Sequence, residues 1–402
     1  MKKNKIFSVF LGALFLAGCS KTNVIRYQAS EKIHVTIKNG WGAEYLPERS
    51  QWDPESGKGT LVFSQEIKRI PKKAFSKRKA LTQIEIPSEV EIIRDNSFEF
   101  CENLSEISVS GKLVVIGESA FFRCRNLKQF DFPKSLQFID NRAFSYSGLE
   151  SVDLPSGLKS LGYSAFENCT DLKTAHLDGT FTSLGSSLFS DCESLTTIEI
   201  PETVTKINNS VFENCRSLPE FVLWEHVSIL GDGVFRGCTS FKNFVLPDTL
   251  EGFGSGLFEN CEALTSVQLP AEIMKTVPDS TFANCRSLKE AVIPETVTAV
   301  GQKAFMNCRS LSRITIPAGV TFIGSDAFDG CENLKEVSLS SVEPPKIYES
   351  EYSWYYNSYV IAWDWGIDRE KCTIYVPADS VETYTQAWPF HKNQIKVQGV
   401  KN

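Results

Sequence analysis

The sequence predicts a solenoid: about twelve coils of 23 residues stack on one hydrophobic core and contribute strands to a parallel sheet. Three observations predict it. A Phe recurs at a nearly constant interval, a Cys and a Leu follow that Phe at fixed offsets, and an alternating apolar triplet follows the Leu. One coil cannot bury its strand and its Phe alone, so the coils must stack to be stable.

The period is read from the Phe residues. Nine of the eleven intervals between them are 23 residues, one is 22 and one is 24. A Cys stands three residues after the Phe in ten of the twelve coils, the exceptions being Arg78 and Ser147, and Leu149 comes one place early in the short coil. We number coils 1 to 12 by Phe75, Phe98, Phe121, Phe144, Phe166, Phe189, Phe212, Phe235, Phe258, Phe282, Phe305 and Phe328.

Each coil contains one short strand. Triplets such as Ile198-Glu199-Ile200 alternate apolar and polar residues, which predicts a strand with one inward face. A Pro usually follows, as at Pro201, and ends the strand because it has no N–H to donate. A second apolar pair and often a Gly lead to the next Phe. The strands are expected to form one continuous parallel ladder.

The repeat C-x-x-L-x-x-I-x-I-P-x-x-V-x-x-I-x-x-x-A-F, read from Cys308 to Phe328, resembles the BspA-type leucine-rich repeat of bacterial surface proteins. The resemblance covers about residues 59–340. It implies a leucine-rich-repeat solenoid, a β-rich α/β fold, with caps at both ends. It also implies a binding or adhesion role at the cell surface or in the periplasm, with no catalytic residues and no cofactor. One solenoid architecture serves many ligands, so the resemblance does not identify the ligand.

The cysteine pattern argues against a disulfide framework. Cysteines at one offset in successive coils stand in a column with parallel side chains about 5 Å apart, whereas a disulfide needs Cβ atoms at roughly 3.8 Å and converging bonds. No C-x-x-C pair supports a metal site. Free, buried thiols are favoured over occasional disulfides or a bound metal.

The N-terminus has the layout of a secretory signal: Lys2, Lys3 and Lys5, then an apolar stretch, then small residues before Cys19. Residues 16–19, LAGC, resemble the lipobox of bacterial lipoproteins, which implies cleavage before Cys19 and acylation of its thiol. An ordinary signal peptide with an incidental Cys is the alternative. Ser20 resembles the signal that sends lipoproteins to an outer membrane. The formal net charge of −7 argues against nucleic acid and against anionic lipid, so only the lipid anchor is expected to contact a membrane.

The outward residues of the strands form a candidate binding surface. Two positions per strand point away from the core, and over twelve coils they carry eight carboxylates and one cation. Asp131 and Asp153 are expected to be cross-strand neighbours, with His176 and Glu199 next in the same column. A surface that merely keeps the sheet soluble is the alternative, and Val222, Val245 and Val292 form a possible apolar patch. The candidate ligand-binding residues are Glu85, Glu106, Asp131, Asp153, His176, Glu199 and Glu220.

A second candidate surface lies after the last coil, where eight aromatic residues fall within 348–365. These rings could stack on sugars or seat a peptide, or they could cover the open end of the solenoid. The residues proposed for binding are Tyr352, Trp354, Tyr355, Tyr356, Trp363 and Trp365.

Catalytic motifs are absent. No H-E-x-x-H or G-x-S-x-G occurs, and the glycines of GFGSG at 252–256 fall on a turn of the repeat. An enzyme would have to use Asp364, Asp368 and His391 in the irregular C-terminal segment.

The sequence divides into a signal peptide over 1–18, a linker and N-terminal cap over 19–58, the solenoid over 59–340 and an aromatic-rich C-terminal cap over 341–402. Residues 20–30 join the anchor to cap strands in IHVTIKNG and GTLVFSQEIKRIP. At the other end we expect a strand over 374–376 and a helix begun by Asp379, with Glu382 completing a capping box.

The expected function is that of a non-enzymatic, lipid-anchored bacterial outer-membrane protein. It would bind a protein, such as a host or extracellular-matrix protein, through the strand face. Glycan capture or uptake through the aromatic segment is the alternative. Whether the chain faces the cell surface or the periplasm stays open, and nothing in the sequence indicates an oligomeric state.

Overall fold

The computed structural model describes residues 23–34, 46–109, 111–219, 223, 225–272, 274–347, 366–368 and 370–398. These residues form a parallel β-solenoid of about thirteen turns, which confirms the predicted leucine-rich-repeat fold. Two ladders of short strands run along it. Within the described part of the chain no helix is long and apolar enough to cross a bilayer.

The first ladder contains the alternating triplets. Its middle residues are buried and their neighbours are exposed, as in the buried Val152 between Ser151 and Asp153. Its strands are β5 (Leu81–Glu85), β7 (Glu106–Ser108), β10 (Ser151–Asp153), β12 (Thr174–His176), β14 (Thr197–Glu199), β17 (Asn243–Val245), β19 (Ser266–Gln268), β21 (Glu290–Ala291), β23 (Arg313–Ile316), β25 (Glu336–Leu339), β27 (Thr373–Val376) and β28 (Ile395–Val397).

The second ladder was missed in the sequence, where its residues read only as an apolar pair. Each coil contributes two residues, the second of which is buried in nearly every strand. Its strands are β4 (Arg69–Ile70), β6 (Ile92–Ile93), β8 (Val115–Ile116), β9 (Phe138–Ile139), β11 (Ser160–Leu161), β13 (Ser183–Leu184), β15 (Lys206–Ile207), β16 (Ile229–Leu230), β18 (Gly252–Phe253), β20 (Thr276–Val277), β22 (Ala299–Val300), β24 (Phe322–Ile323) and β26 (Lys346–Ile347).

The first ladder is not continuous, contrary to the prediction. Residues 128–132 form no strand, so β7 and β10 belong to separate sheets. Here Phe130 and Phe132 take the inward positions and pack on Phe144, with ring centroids 5.1 and 5.4 Å apart. The corner of a coil is the segment from the Cys position to the repeat Leu. In the next coil this corner is one residue shorter than in the others. We attribute the break to these two features, because both displace the strand from the register of its neighbours.

A third row of backbone hydrogen bonds joins the turn segments, the five residues centred on each numbered Phe. The first, third and fifth N–H groups of a segment donate to the next coil, as when Phe98 donates to the Ala120 carbonyl at 2.8 Å. The second and fourth donate three residues back, as Glu99 does to Asn96. The first and fifth residues have φ between +53° and +72° in every coil. Left-handed residues at both ends of the segment therefore accompany a regular pairing of these N–H groups that needs no strand.

The twelve Phe side chains form one column in the core, as predicted. Each is 0% exposed, and successive rings stack with centroids 5.0 to 6.1 Å apart. Burying one such side chain contributes roughly 1.5–3 kcal/mol. The column therefore supplies a large share of the contact between coils.

The ten repeat cysteines also form a column, and all are buried and unpaired. Each thiol donates to the carbonyl of the Phe in the preceding coil at 3.0–3.2 Å, as Cys215 does to Phe189. The sequence predicted small apolar groups, and the structure adds this donor role. Burial raises the pKa of Cys101 and Cys169 to about 12 from an ordinary 9.0, which suppresses the reactive thiolate.

The N-terminal cap differs from its prediction. Residues 24–29, expected within a linker, form β1 (Val24–Ala29), which pairs antiparallel with both β3 (Lys58–Val62) and β5. β2 (Arg49–Trp52) completes this sheet. Residues 33–34 of IHVTIKNG form no strand, and 35–40 lie outside the described residues. The alternate Ile25, Tyr27 and Ala29 are buried, a period-2 signal that the sequence reading overlooked.

The C-terminal segment extends the solenoid beyond the predicted boundary at residue 340. The strand expected over 374–376 is confirmed as β27, and β28 adds one further strand. The helix is α1 (Val381–Ala387), preceded by a 3₁₀ turn at Ala378–Ser380. Its N-cap is Ser380 and no side chain caps it, so the predicted capping box is wrong. Tyr384 of this helix is fully buried and packs against the ring of Trp388 at 5.1 Å.

Candidate binding surface

The sheet face consists of the outward residues of the first ladder. The predicted residues Glu106, Asp131, Asp153, His176 and Glu199 are all exposed, and Glu85 is half-buried. Because side chains alternate along a strand, the buried triplet positions fix this orientation. Glu220 and Val222 lie outside the described residues, as do Cys19 and all six residues proposed at the aromatic end.

An acidic row occupies the middle of the sheet face. Parallel register places His176 between Asp153 and Glu199, as predicted. His176 Nδ1 lies 2.7 Å from Glu199 Oε2, and the two side chains are 51% and 66% exposed. The imidazole is thus held by one carboxylate, and Asp153 stands exposed on its other side. This row presents hydrogen-bond acceptors to solvent at the spacing of the strands, about 4.8 Å.

Asp131 does not extend this row through a ladder. Its segment, residues 128–132, is not a strand, so the expected cross-strand pairing with Asp153 is not formed. The two coils are joined instead by the Glu150 N–H, which donates to the Lys128 carbonyl at 3.0 Å.

A small cavity of about 210 Å³ lies at the N-terminal end of the sheet face, where β1 joins β5. It is lined by Arg26, Gln83, Glu85 and Glu106 among others. Arg26 Nη1 contacts Glu85 Oε1 at 3.3 Å, and the antiparallel register places these two residues opposite each other. One of the predicted carboxylates is therefore already paired with a cation from the cap, which sequence reasoning could not foresee without β1.

Lysines stand one position after the repeat Leu in five of the twelve coils, although never in two adjacent ones. Lys173 Nζ contacts Glu150 Oε2 at 3.1 Å. This position is not one of the two outward positions per strand on which the prediction rests. Each of these exposed lysines comes directly before the first outward residue of its coil: Lys128, Lys173, Lys242, Lys289 and Lys335.

The apolar patch is reduced to separate residues. Val245 and Val292 are 55% and 75% exposed, but the strand between them places Gln268 on the same face. Among the described residues, Val245 and Val292 are therefore separated by a polar side chain and form no continuous apolar surface.

The residues considered for catalysis do not form a site. Asp368 Oδ2 pairs with Lys371 Nζ at 3.0 Å, and contacts within this loop lower the pKa of Asp368, above all the hydrogen bond from the Glu370 N–H. His391 is 1% exposed and its Nδ1 lies 2.7 Å from Gln394 Oε1 in the cap. Asp364 lies outside the described residues. Among the residues that the structure describes, no three His, Cys, Asp or Glu side chains are grouped to hold a metal.

Comparison with known proteins decides the family. The model of the BspA type leucine rich repeat region matches residues 58–173, 169–275 and 275–362, in six copies. The chain belongs to the BspA-type leucine-rich repeat proteins. This membership suggests a protein-binding or surface role, and proteins of this kind are typically not enzymes.

Solved structures similar to this BspA-type protein are bacterial leucine-rich repeat proteins. One from Bacteroides ovatus is 23% identical, with 85% of this chain and 90% of that chain covered and a TM-score of 0.63. A leucine rich cell surface protein from Faecalibacterium prausnitzii is 25% identical, with 68% and 83% covered and a TM-score of 0.45. The first likeness shows the fold alone. No curated protein matches the chain.

Proposed function

We propose that this BspA-type protein is a non-enzymatic, lipid-anchored protein of the bacterial cell envelope, placed in the outer membrane, that binds a protein partner through the sheet face. The observation that carries the proposal is the exposed row of Asp153, His176 and Glu199, held in register by β10, β12 and β14. A row of acceptors whose spacing is fixed by paired strands suits a partner segment rich in Lys or Arg.

Two further observations support this proposal. The cavity beside Glu85 and Glu106 adds a concave element to the same face, where a side chain of the partner could enter. The formal net charge of −7 favours encounter with a cationic partner. A host or extracellular-matrix protein is the class of partner that the family suggests.

The anchor is tested at Cys19. We expect the full chain, expressed in a bacterium that processes lipoproteins, to enter the detergent phase on phase separation. Cys19→Ser removes the thiol that would be acylated, so this variant should move to the aqueous phase. Equal partitioning of both proteins would contradict lipid anchoring while leaving the binding proposal untouched.

The sheet face is tested with a lysine-rich peptide as the probe. We expect the double variant Asp153→Asn with Glu199→Gln to bind it about tenfold more weakly at low salt. The difference should shrink as ionic strength rises, because salt screens exposed charges. Fluorescence anisotropy at several salt concentrations measures both effects.

Glu290→Gln with Glu336→Gln is the matched control, because it likewise removes two charges, from residues that are exposed on the same ladder but lie outside the acidic row. It should change affinity less than the double variant. Equal losses would mean that net charge alone, and no localised site, attracts the peptide. A glycan ligand retained by the double variant and lost on Trp363→Ala with Trp365→Ala would favour the alternative, which rests on the dense aromatic segment at 348–365.

A further inference from the structure

The corners of successive coils lie side by side, and the corner of coil 4 leaves a notch between its neighbours. In most coils two residues separate the Cys position from the Leu, whereas in coil 4 Gly148 alone separates Ser147 from Leu149. The corner is therefore recessed between those of coils 3 and 5. The result is a cavity of about 340 Å³ lined by Arg125, Tyr146, Ser147, Gly148, Asn168, Thr170 and Asp171.

The neighbouring ion pair confirms that the corner is recessed. Lys128 of coil 3 pairs with Asp171 of coil 5, across the short coil. Salt bridges at other corners join adjacent coils, as Arg216 does with Glu193. The floor of the notch is tightly packed, since a Cβ added at Gly148 would lie 2.0 Å from the Arg125 carbonyl oxygen. The notch is thus a built feature of the backbone.

A cluster of arginines and aromatic rings adjoins the notch. The Arg123 guanidinium lies over the rings of Phe100, Phe122 and Tyr146 at 5.4, 5.4 and 5.1 Å from their centroids. The Arg142 guanidinium lies 5.0 Å from the Phe122 centroid. Stacking of this kind holds a guanidinium plane in place and leaves its edge free to form paired hydrogen bonds.

The arginines of this cluster lack anionic partners. Neither Arg123, Arg142 nor Arg125 forms an ion pair with a described residue, and the Nε atoms of Arg123 and Arg142 are buried without a hydrogen-bond partner. Arg216, at the same corner position as Arg125 four coils later, does have a carboxylate partner. For Arg123 and Arg142 a partly desolvated guanidinium without a counter-charge is unfavourable, and a bound anion would relieve that cost.

Large side chains in this region occupy backbone positions that disfavour them. The fifth residue of each turn segment is left-handed, and coils 5 to 12 use only Asn, Asp or Gly there. Coils 1 to 4 instead place Lys77, Phe100, Arg123 and Tyr146 at this position, all with φ near +60°. A side chain with Cβ costs roughly 1–2 kcal/mol in this conformation. Bulky side chains at this fifth position are thus confined to four consecutive coils, although every coil has the same backbone.

We propose that the notch at coil 4 binds an acidic sugar, a pyranose that carries a carboxylate. The cavity of about 340 Å³ falls within the usual range of small-ligand sites, Tyr146 forms one wall, and Asn168 and Thr170 supply amide and hydroxyl groups for the sugar hydroxyls. Arg125 pairs with the carboxylate inside the notch. Arg123, stacked on Tyr146, receives the carboxylate of the next sugar in a chain.

The polar lining distinguishes this ligand from an acidic peptide or a phospholipid headgroup. An acidic peptide or an anionic headgroup would need only the guanidinium groups, whereas the notch also presents Asn168 and Thr170, whose amide and hydroxyl groups suit the hydroxyls of a sugar ring. This site is independent of the sheet face and of the aromatic segment at 348–365.

Isothermal titration of the full chain with an oligogalacturonate, a polymer of a uronic acid, tests the proposal. We expect binding, no binding of the neutral galactose oligomer of equal length, and a loss of at least about tenfold in affinity for Arg125→Gln. Arg125 is exposed, so this substitution should leave the fold intact, which thermal unfolding checks. Arg216→Gln is the matched control, and it should bind as the unsubstituted protein does.

Several outcomes would overturn the proposal. They are no binding of the oligogalacturonate, equal binding of the neutral oligomer, or equal affinities for Arg125→Gln and Arg216→Gln. Tighter, Arg125-dependent binding of an oligoglutamate peptide or of vesicles with anionic phospholipid would assign the notch to those ligands instead and likewise reject the sugar.

Discussion

Phe189→Ala is expected to lower the free energy of unfolding by about 3–5 kcal/mol, the usual cost of emptying a large buried site. Phe189 is 0% exposed and stacks between Phe166 and Phe212, at centroid distances of 5.6 and 6.1 Å and interplanar angles of 8° and 1°. Its removal weakens the contacts with two neighbouring coils at once. Because each coil contacts only its neighbours, the defect falls on the interfaces that hold the solenoid together.

Urea denaturation followed by circular dichroism measures this effect. Val292→Ala is the control, since Val292 is 75% exposed and its truncation should change stability by less than about 0.5 kcal/mol. We also expect Phe189→Leu to fall between the two. A Phe189→Ala protein as stable as the Val292→Ala protein would show that the Phe column does not hold the coils together.

Gly254→Ala is expected to destabilise the protein by about 2–3 kcal/mol, as overpacking of a tight backbone contact does. A Cβ at this position would lie 2.6 Å from the Asp232 nitrogen and 2.8 Å from the Gly231 carbonyl carbon. Both are backbone atoms of the preceding coil, so no side chain can rotate away. Coils 8 and 9 would have to separate, which also strains the hydrogen bond from the Gly254 N–H to the Leu230 carbonyl.

Gly252→Ala, two residues away in the same GFGSG motif, is the matched control. A Cβ there would meet nothing within 4 Å, and the residue has no positive φ. This variant should be as stable as the original protein or slightly more so, by up to about 1 kcal/mol, because Ala reduces the entropy of the unfolded chain. Thermal and urea unfolding of the two variants show whether the loss of stability comes from the close contact between coils or from the loss of glycine flexibility. Equal stabilities would rule out close coil contact at Gly254.

The repeating part of the fold was predictable because each coil places the same types of residue at the same positions. Phe189, Cys215 and the triplet at Ile198 recur at fixed offsets, so alternation and period together identify the core. The caps were less predictable, since they occur once and no period supports them. β1 was therefore taken for a linker, and the start of α1 for a capping box.

The candidate site was likewise predicted only in part. Strand alternation identified Asp153, His176 and Glu199 as outward neighbours, and their register confirmed it. Alternation could not reveal that Arg26 reaches Glu85, because that contact spans 59 residues and depends on an unexpected strand. The lysines one position after the repeat Leu were visible in the sequence, but a contact such as that of Lys173 with Glu150 depends on the packing of neighbouring coils.

The chain itself determined the winding, the buried Phe and thiol columns and the direction of each triplet, because these follow from spacing within one coil and its copies. Only the assembled structure decided what happens between coils: the second ladder, the thiol hydrogen bonds, the break at residues 128–132 and the notch at Gly148. The physical reason is that hydrogen bonds and cavities between coils depend on displacements of one residue or a few ångströms. A periodic sequence pattern averages over such displacements.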